Sequence, residues 1–309
     1  MFTFHNIISK ETGRINNQLI IKADSGDPES MYQLGCLYLN IQNGRCVDEI
    51  KGVEYLRKAV EKEHLEAKCN LGVCYINGTG LNKEHSRAFQ LFMNASTRGS
   101  SNAKYYLGLC YYMGFGVEKN NMFALSFFNN SAICNNNYGK HAMGLIYANG
   151  LMGMPKNEGV AFKIFQDLDD KFQVGLFHLL GRAGLPVNKK IGMGNIKLAA
   201  INGNSIAEYF IGVSYLLGYH DLTQDIKKGM YFLTEAGKKG NEDALLKLAQ
   251  INDGGLFGQY INIDQAKNFY QLAAERGNEE AHRCLAKYLM EDEKDVANIL
   301  TNMKHCVKA

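Results

Sequence analysis

The fold is decided by the stretch Ala103-Lys-Tyr-Tyr-Leu-Gly-Leu-Cys-Tyr-Tyr-Met-Gly-Phe-Gly-Val117 and by its recurrence along the chain. An apolar residue followed by a small one, Leu107-Gly108 in this stretch, returns at spacings of 37, 36, 36, 31, 37, 37 and 37 residues. The small residues of this series are Gly35, Gly72, Gly108, Gly144, Gly175, Gly212, Ala249 and Ala286. A period in the thirties over nearly the whole length indicates an array of helical repeats rather than one compact core.

Each period divides into two helices, A and B, joined by a turn. In the second period Ala67, Leu71 and Tyr75 form the stripe of helix A, Gly78 marks the turn, and the stripe of helix B begins at Ala88. The small residue of helix B recurs as Gly52, Ala88, Ala124, Ala161, Gly192, Gly229 and Ala266, which predicts a close approach of the two helices. Four residues earlier stand Asp48, Glu84, Asn120, Asn157, Asn188, Asp225 and Asn262, and all but one can cap a helix through a side-chain oxygen.

A tyrosine recurs three residues after the repeat glycine, as Tyr38, Tyr75, Tyr111, Tyr147 and Tyr215, and is expected to fill the space between helices A and B. These positions together resemble the Sel1-like repeat family, which is related to the tetratricopeptide repeats. The resemblance is close at 103–117 and at Leu272-Ala-Ala-Glu-Arg-Gly277, and it covers roughly residues 24 to 290. It departs at Ile41, which replaces a turn glycine, and at Ala249 and Asn252 in the seventh repeat.

The resemblance implies an all-α fold, a right-handed α/α superhelical solenoid of about seven helical hairpins with terminal capping helices. We expect an N-terminal segment and capping helix at 1–25, the repeat array at 26–290 and a C-terminal capping helix at 291–309. The short spacing of 31 residues predicts that helix B of the fourth repeat, or its exit turn, is cut short at about 167–172. We expect the array to bend there.

Composition narrows the range of partners. The net charge is +3 with mixed signs along the chain, no stretch of 18 apolar residues occurs, and the first residues lack the features of a signal peptide. The eight cysteines include no C-x-x-C pair and are interpreted as free thiols in a reducing compartment, with disulfides as the alternative. We therefore expect a cytoplasmic protein that binds neither nucleic acid nor membrane.

The architecture that the resemblance implies places an exposed inner wall on the A helices, three residues before and one, four or five residues after the repeat glycine. The residues predicted to bind a partner there are Tyr32, Tyr105, Tyr112, Met113, His141, Phe172, Tyr209 and Leu216. A groove rich in tyrosine, leucine and methionine is typical of binding to an extended peptide or an inserted helix. The alternative is that these tyrosines pack against the next repeat.

No metalloprotease, serine hydrolase or P-loop motif occurs, and the eight histidines are scattered. We therefore predict a non-enzymatic scaffold or adaptor that binds a protein or peptide, with no cofactor, no metal and no small-molecule substrate. The resemblance implies that such scaffolds commonly act in bacterial regulation, in interactions between host and bacterium or in eukaryotic protein quality control. Two alternatives stay open: an immunity protein that neutralises a bacterial toxin or a host-directed effector, and an enzyme or the regulatory subunit of one.

Overall fold

The computed structural model describes residues 17–39, 41–42, 45–46 and 48–288, which fall into two compact units that divide between Val187 and Asn188. The helices of the first unit are α1 (Asn17–Asp24), α2 (Pro28–Leu39), α3 (Glu49–Glu61), α4 (Leu65–Asn77), α5 (His85–Thr97), α6 (Ser101–Met113), α7 (Asn121–Ile133), α8 (Asn137–Asn149), α9 (Glu158–Asp167) and α10 (Lys171–Leu180). Those of the second unit are α11 (Lys189–Ile201), α12 (Ser205–Leu217), α13 (Ile226–Lys238), α14 (Glu242–Gly254), α15 (Ile263–Glu275) and the helical residues 279–288. The predicted all-helical repeat fold is confirmed.

The repeat glycine of helix A makes room for a large side chain of helix B. A Cβ added to Gly72 would lie 2.7 Å from the ring carbon Cζ of Phe92, and one added to Gly108 would lie 2.7 Å from Cε1 of Phe128. Both rings are buried. The glycine therefore recurs because the hairpin core needs the volume that a methyl group would take.

The small residue of helix B likewise makes room for a large side chain of helix A. A Cβ on Gly52 would lie 2.9 Å from Cδ2 of Leu39, and one on Gly229 would lie 2.6 Å from Cγ of Leu216. Leu39 and Leu216 both follow the repeat glycine by four residues and are buried. The close helix approach predicted from the small residues is confirmed.

Side-chain caps define the start of nearly every helix. Six of the seven predicted B-helix caps accept a hydrogen bond from a backbone N–H of the first turn, and Glu84 makes no such bond. The A helices are capped in the same way, for example by Ser100, Asn136 and Asn204. Because caps satisfy amide groups that the helix itself leaves unpaired, they set the register of each hairpin.

Two places depart from the regular hairpin. Helix α9 ends at Asp167 after 10 residues, whereas most helices have 13, so the predicted shortening in the fourth repeat is confirmed. The predicted bend there stays a prediction. In the first hairpin, where a turn glycine is missing, strand β1 (Ile41–Gln42) pairs antiparallel with β2 (Arg45–Cys46).

The expected N-terminal capping helix corresponds to α1, whose Ala23 is buried, with Leu19 and Ile20 packed against the core of the first unit. The capping helix expected at 291–309 lies outside the described residues. None of the helices in the described part of the chain is long and apolar enough to cross a membrane.

Candidate protein-interaction surface

One face of helix α6 carries a strip of large side chains, Tyr105, Leu109, Tyr112 and Met113, here called the α6 strip. Their spacing places them on one side of the helix, one above the other. Tyr112 is 42% exposed and Met113 is 47% exposed, whereas Tyr105 and Leu109 are half-buried. Tyr105 is held between neighbours, with its ring centroid 5.4 Å from that of Tyr138 and 5.8 Å from that of Phe128.

Tyr138 extends the α6 strip from the next A helix, α8, and is 39% exposed. Burial raises the pKa of Tyr105 to about 12 and also raises the pKa of Tyr138. Both phenols are therefore neutral hydrogen-bond donors at physiological pH. The surface combines apolar area with uncharged hydroxyl groups, which is a common composition of protein-binding sites.

Tyr112 is exposed at a place in the hairpin where five other repeats bury a smaller side chain. In other repeats the residue four after the repeat glycine is buried, as for Leu39, Ile76, Ala148, Leu179 and Leu216. Leu39 and Leu216 fit because the facing residue of helix B is a glycine. Helix α7 has Ala124 at the facing place, fully buried, and a tyrosine ring is too large to pack over it.

Three of the predicted partner-binding residues lie in the core, so the expectation that they line an exposed wall is wrong for them. Tyr32 is buried and stacks on His64, with ring centroids 4.7 Å apart. Leu216 is buried over Gly229, and Phe172 is buried near the start of the short helix α10. For Leu216 the physical reason is that Gly229 of the facing helix leaves space for its side chain.

His141 and Tyr209 occupy separate surroundings. His141 Nε2 lies 3.1 Å from Oδ2 of Asp170, and its ring stands edge-on to Phe165 at 5.6 Å. Burial raises the pKa of Asp170, but hydrogen bonds from His141 and from the N–H of Gln173 outweigh it, and the net pKa is below its usual value. Tyr209 is half-buried in the second unit. The structure therefore brings together Tyr105, Tyr112 and Met113.

Sequence reasoning missed Tyr138. The second residue of helix A is polar at Glu66, Asn102 and Asp243 but apolar at Ile206, so this column alone did not single out Tyr138. The ring of Tyr138 packs beside that of Tyr105, with centroids 5.4 Å apart. Its exposure next to Tyr105 marks it as part of the candidate surface.

Sequence reasoning also missed the carboxylates that join one hairpin to the turn of the next. Glu158 Oε2 accepts the N–H of Ala183 at 2.8 Å, and Oε1 accepts Nε of Arg182 at 2.8 Å. The bond from Ala183 and those from Lys156 and Arg182 lower the pKa of Glu158 to about 2. Glu49 accepts the N–H of Gly80 in the same way at 2.8 Å. These bonds hold successive hairpins of the first unit in a defined relation.

The titratable groups of the core lack the features of an activated nucleophile. Burial raises the pKa of the Cys69 thiol and raises that of Cys110 to about 12, so both thiols stay protonated. A reactive cysteine needs the opposite shift. Among the residues that the structure describes, no three His, Cys, Asp or Glu side chains are grouped closely enough to hold a metal ion.

Several bacterial proteins of known structure are similar to this chain. A Sel1 repeat protein from Oxalobacter formigenes is 23% identical with a TM-score of 0.54, over 73% of this chain and 91% of that one. An immunity protein from Pseudomonas aeruginosa is 17% identical with a TM-score of 0.54, over 70% and 86%. A protective antigen with an SLR fold from uropathogenic Escherichia coli is 22% identical with a TM-score of 0.45, over 90% and 68%. At identities below 25%, the likeness to the first two of these shows the fold alone.

The search of curated proteins found no match. The family model described as "Sel1 repeat" matches seven times, at residues 28–64, 65–100, 101–136, 137–166, 171–204, 205–241 and 242–278. These matches coincide with the helical hairpins and cover most of the chain. The chain therefore belongs to the Sel1 repeat family.

Proposed function

We propose that this protein is a non-enzymatic scaffold that binds a partner protein or peptide on the α6 strip and Tyr138. Sel1 repeat proteins are generally protein-interaction scaffolds and typically non-catalytic. The observation that carries the proposal is the exposure of Tyr112 and Met113 side by side. At the place of Tyr112, five other repeats bury an aliphatic side chain.

The chemistry of the strip indicates what it binds. Methionine and tyrosine are enriched in interface cores because they offer large contact areas, and methionine adapts its shape to the partner. The strip runs along α6 from Tyr105 to Met113, eight residues or about 12 Å at the rise of an α-helix. Such a length accommodates two turns of an amphipathic helix or a short extended segment.

The test is a paired substitution. Tyr112→Ser with Met113→Ser removes the exposed part of the strip, and Met122→Ser with Phe123→Ser is the matched control on helix α7, where both residues are also exposed. Partners are captured with the unmodified chain, identified by mass spectrometry, purified and titrated against each variant. We expect the strip variant to weaken binding at least about 30-fold, as for the loss of one hot-spot side chain, and the control to change Kd little.

The proposal fails if the strip variant binds the partner as tightly as the unmodified chain. It also fails if only the α7 variant loses binding. Circular dichroism of both variants guards against misfolding, and loss of folding is not expected because the substituted side chains are exposed.

A narrower proposal of the same class is an immunity protein that neutralises a toxin, or a host-directed effector. The immunity alternative is supported by the shared fold of the Pseudomonas aeruginosa immunity protein. It predicts a toxin gene beside the gene for this chain and a complex of the two products in equal amounts. Co-expression that leaves the toxin fully active would remove this alternative.

We also propose a reducing location such as the cytoplasm. Buried Cys69 and Cys110 form no disulfide in the structure, which supports this location. Microscopy of a tagged chain in the cell that encodes it tests the location directly.

A further inference from the structure

A cleft of about 380 Å³ lies in the first unit between helices α3 and α5, with helix α4 as its floor. The floor consists of Lys68, Leu71 and Tyr75, and the α5 wall includes Arg87, Leu91 and Asn94. None of these residues belongs to the α6 strip. The cleft is therefore a second surface, separate from the one proposed above.

The cleft exists because one aromatic side chain is missing. In three other hairpins the recurring tyrosine of helix A stacks on an aromatic residue of helix B, with centroids 5.8 Å apart for Tyr38 and Tyr55, 5.6 Å for Tyr111 and Phe127 and 6.0 Å for Tyr215 and Phe232. In the second hairpin the residue at that place is Leu91. A leucine fills less volume than a ring, so the space beside Tyr75 stays open.

Two arginines converge on the end of the cleft that Tyr75 forms. Arg57 Nη2 and Arg87 Nη1 each donate to the hydroxyl oxygen of Tyr75 at 3.4 Å. Arg87 also pairs with Glu84 at 2.9 Å, whereas within the described part of the chain no carboxylate lies within 4 Å of Arg57. The charge of Arg87 is therefore balanced by Glu84, whereas Arg57 is the guanidinium beside the Tyr75 hydroxyl that an added anion would pair with.

The other end of the cleft is already neutralised. Lys68 is buried and is bonded to Glu63 and to the side-chain oxygen of Asn94. Between the two ends, the floor and wall present Leu71 and Leu91. The cleft therefore has an apolar centre and one cationic end, at Arg57, Arg87 and the hydroxyl of Tyr75.

We propose that this cleft binds an acidic side chain of a peptide, with an adjacent aliphatic side chain of the same peptide on Leu71 and Leu91. Arginine suits this role because its planar group donates two parallel hydrogen bonds to a carboxylate. The adjacent aliphatic side chain strengthens binding because it moves from water into the apolar centre of the cleft. The proposal does not depend on the α6 strip.

The probe is the peptide acetyl-Leu-Glu-Leu-amide, and the matched probe is acetyl-Leu-Gln-Leu-amide, which has the same shape without the charge. Each is titrated into the full chain at low ionic strength and followed by NMR chemical shifts. We expect the glutamate peptide to bind with a Kd of roughly 1 mM and the glutamine peptide roughly tenfold more weakly. Raising the salt concentration should reduce this difference.

Variants locate the site. Arg57→Gln with Arg87→Gln should weaken binding of the glutamate peptide roughly tenfold. Tyr75→Phe should weaken this binding less, because the aromatic ring is kept. Arg283→Gln is the control, since Arg283 is an exposed arginine of the second unit that pairs with Glu280. Tyr112→Ser with Met113→Ser should leave the affinity unchanged, which keeps this result distinct from the test of the proposed function.

Several outcomes would overturn the proposal. Equal affinity for the two peptides would show that the charge is not recognised, and unchanged binding by the double arginine variant would place the peptide elsewhere. No shift with either peptide at about 10 mM would also reject it. If inorganic phosphate at the same concentration displaces the glutamate peptide completely, the site is a phosphate site and the assignment to a carboxylate is wrong.

Discussion

Replacing Gly116 with alanine should destabilise the first unit much more than the same change at Gly153. Both glycines lie in solvent-exposed turns with positive φ, +70° and +80°. An alanine in this backbone region lowers the free energy of unfolding by about 1–2 kcal/mol. The unfolded chain also loses entropy when glycine becomes alanine, which offsets about 0.4–1 kcal/mol of that loss. The common cost of the two substitutions is therefore about 1 kcal/mol.

The difference between the two positions comes from packing. A Cβ on Gly116 would lie 2.7 Å from the carbonyl carbon of His85 and 2.9 Å from Cα of Ser86, whereas a Cβ on Gly153 meets nothing within 4 Å. Both contacts are with backbone atoms, so the turn must move away from helix α5 and disturb the rings of His85 and Phe115, now 4.6 Å apart. Overpacking of this kind adds about 1–3 kcal/mol, for a total of about 2–4 kcal/mol at Gly116.

The assay is urea unfolding followed by circular dichroism, with hydrogen exchange to locate the effect. Repeat arrays can unfold in parts, so the exchange of amides in α5 and α6 is the more direct measure. We expect the protection of these amides to fall in the Gly116→Ala variant and to stay near that of the unmodified chain in Gly153→Ala. If the two variants differ by less than about 0.5 kcal/mol, the turn does not fix the relation between successive hairpins and the reasoning is wrong.

Three further predictions concern caps, core and charge. Asn120→Ala removes the acceptor for the N–H groups of Met122 and Phe123 and should lower the free energy of unfolding by about 1 kcal/mol, whereas Glu84→Ala, at a position without a capping bond, should lower it by less; urea titration compares the two. Phe128→Ala empties the space over Gly108 and should cost about 3–5 kcal/mol, measured in the same way, and a cost below about 1 kcal/mol would contradict the packing described. Glu158→Gln should destabilise the chain at neutral pH. Because folding lowers the pKa of Glu158 from 4.5 to about 2, the loss of stability relative to the unmodified chain should be present above about pH 4.5 and disappear as the pH falls to about 2. A loss of stability that is constant from about pH 6 to about pH 2 would refute the role of the charge.

The hairpins could be predicted well because every structural position is repeated. A single Asn or Gly is weak evidence, but capping residues before seven B helices and a small residue in each of them leave few other folds. The same repetition identified the shortened helix that ends at Asp167. The pairing of β1 with β2 was not predicted, because it replaces a turn where the repeat pattern fails.

The candidate surface could be predicted only in part. Position along helix A correctly identified Tyr112 and Met113 as exposed, but the same rule applied to Leu216 was wrong. The two cases differ in the size of the side chain, tyrosine against leucine, and in the residue across the hairpin, Ala124 in one and Gly229 in the other. A rule based on one helix does not contain that information.

The sequence by itself determined the repeat, the helices and their caps, because these depend on interactions between residues close in the chain and on positions that recur. Only the tertiary structure decided which side chains remain at the surface. Exposure of Tyr138 beside Tyr105, and the cleft that Leu91 leaves beside Tyr75, depend on the volumes of side chains from different helices. Whether these side chains fill the space between the helices depends on residues that are far apart in the chain. A pattern of neighbouring residues does not contain that information.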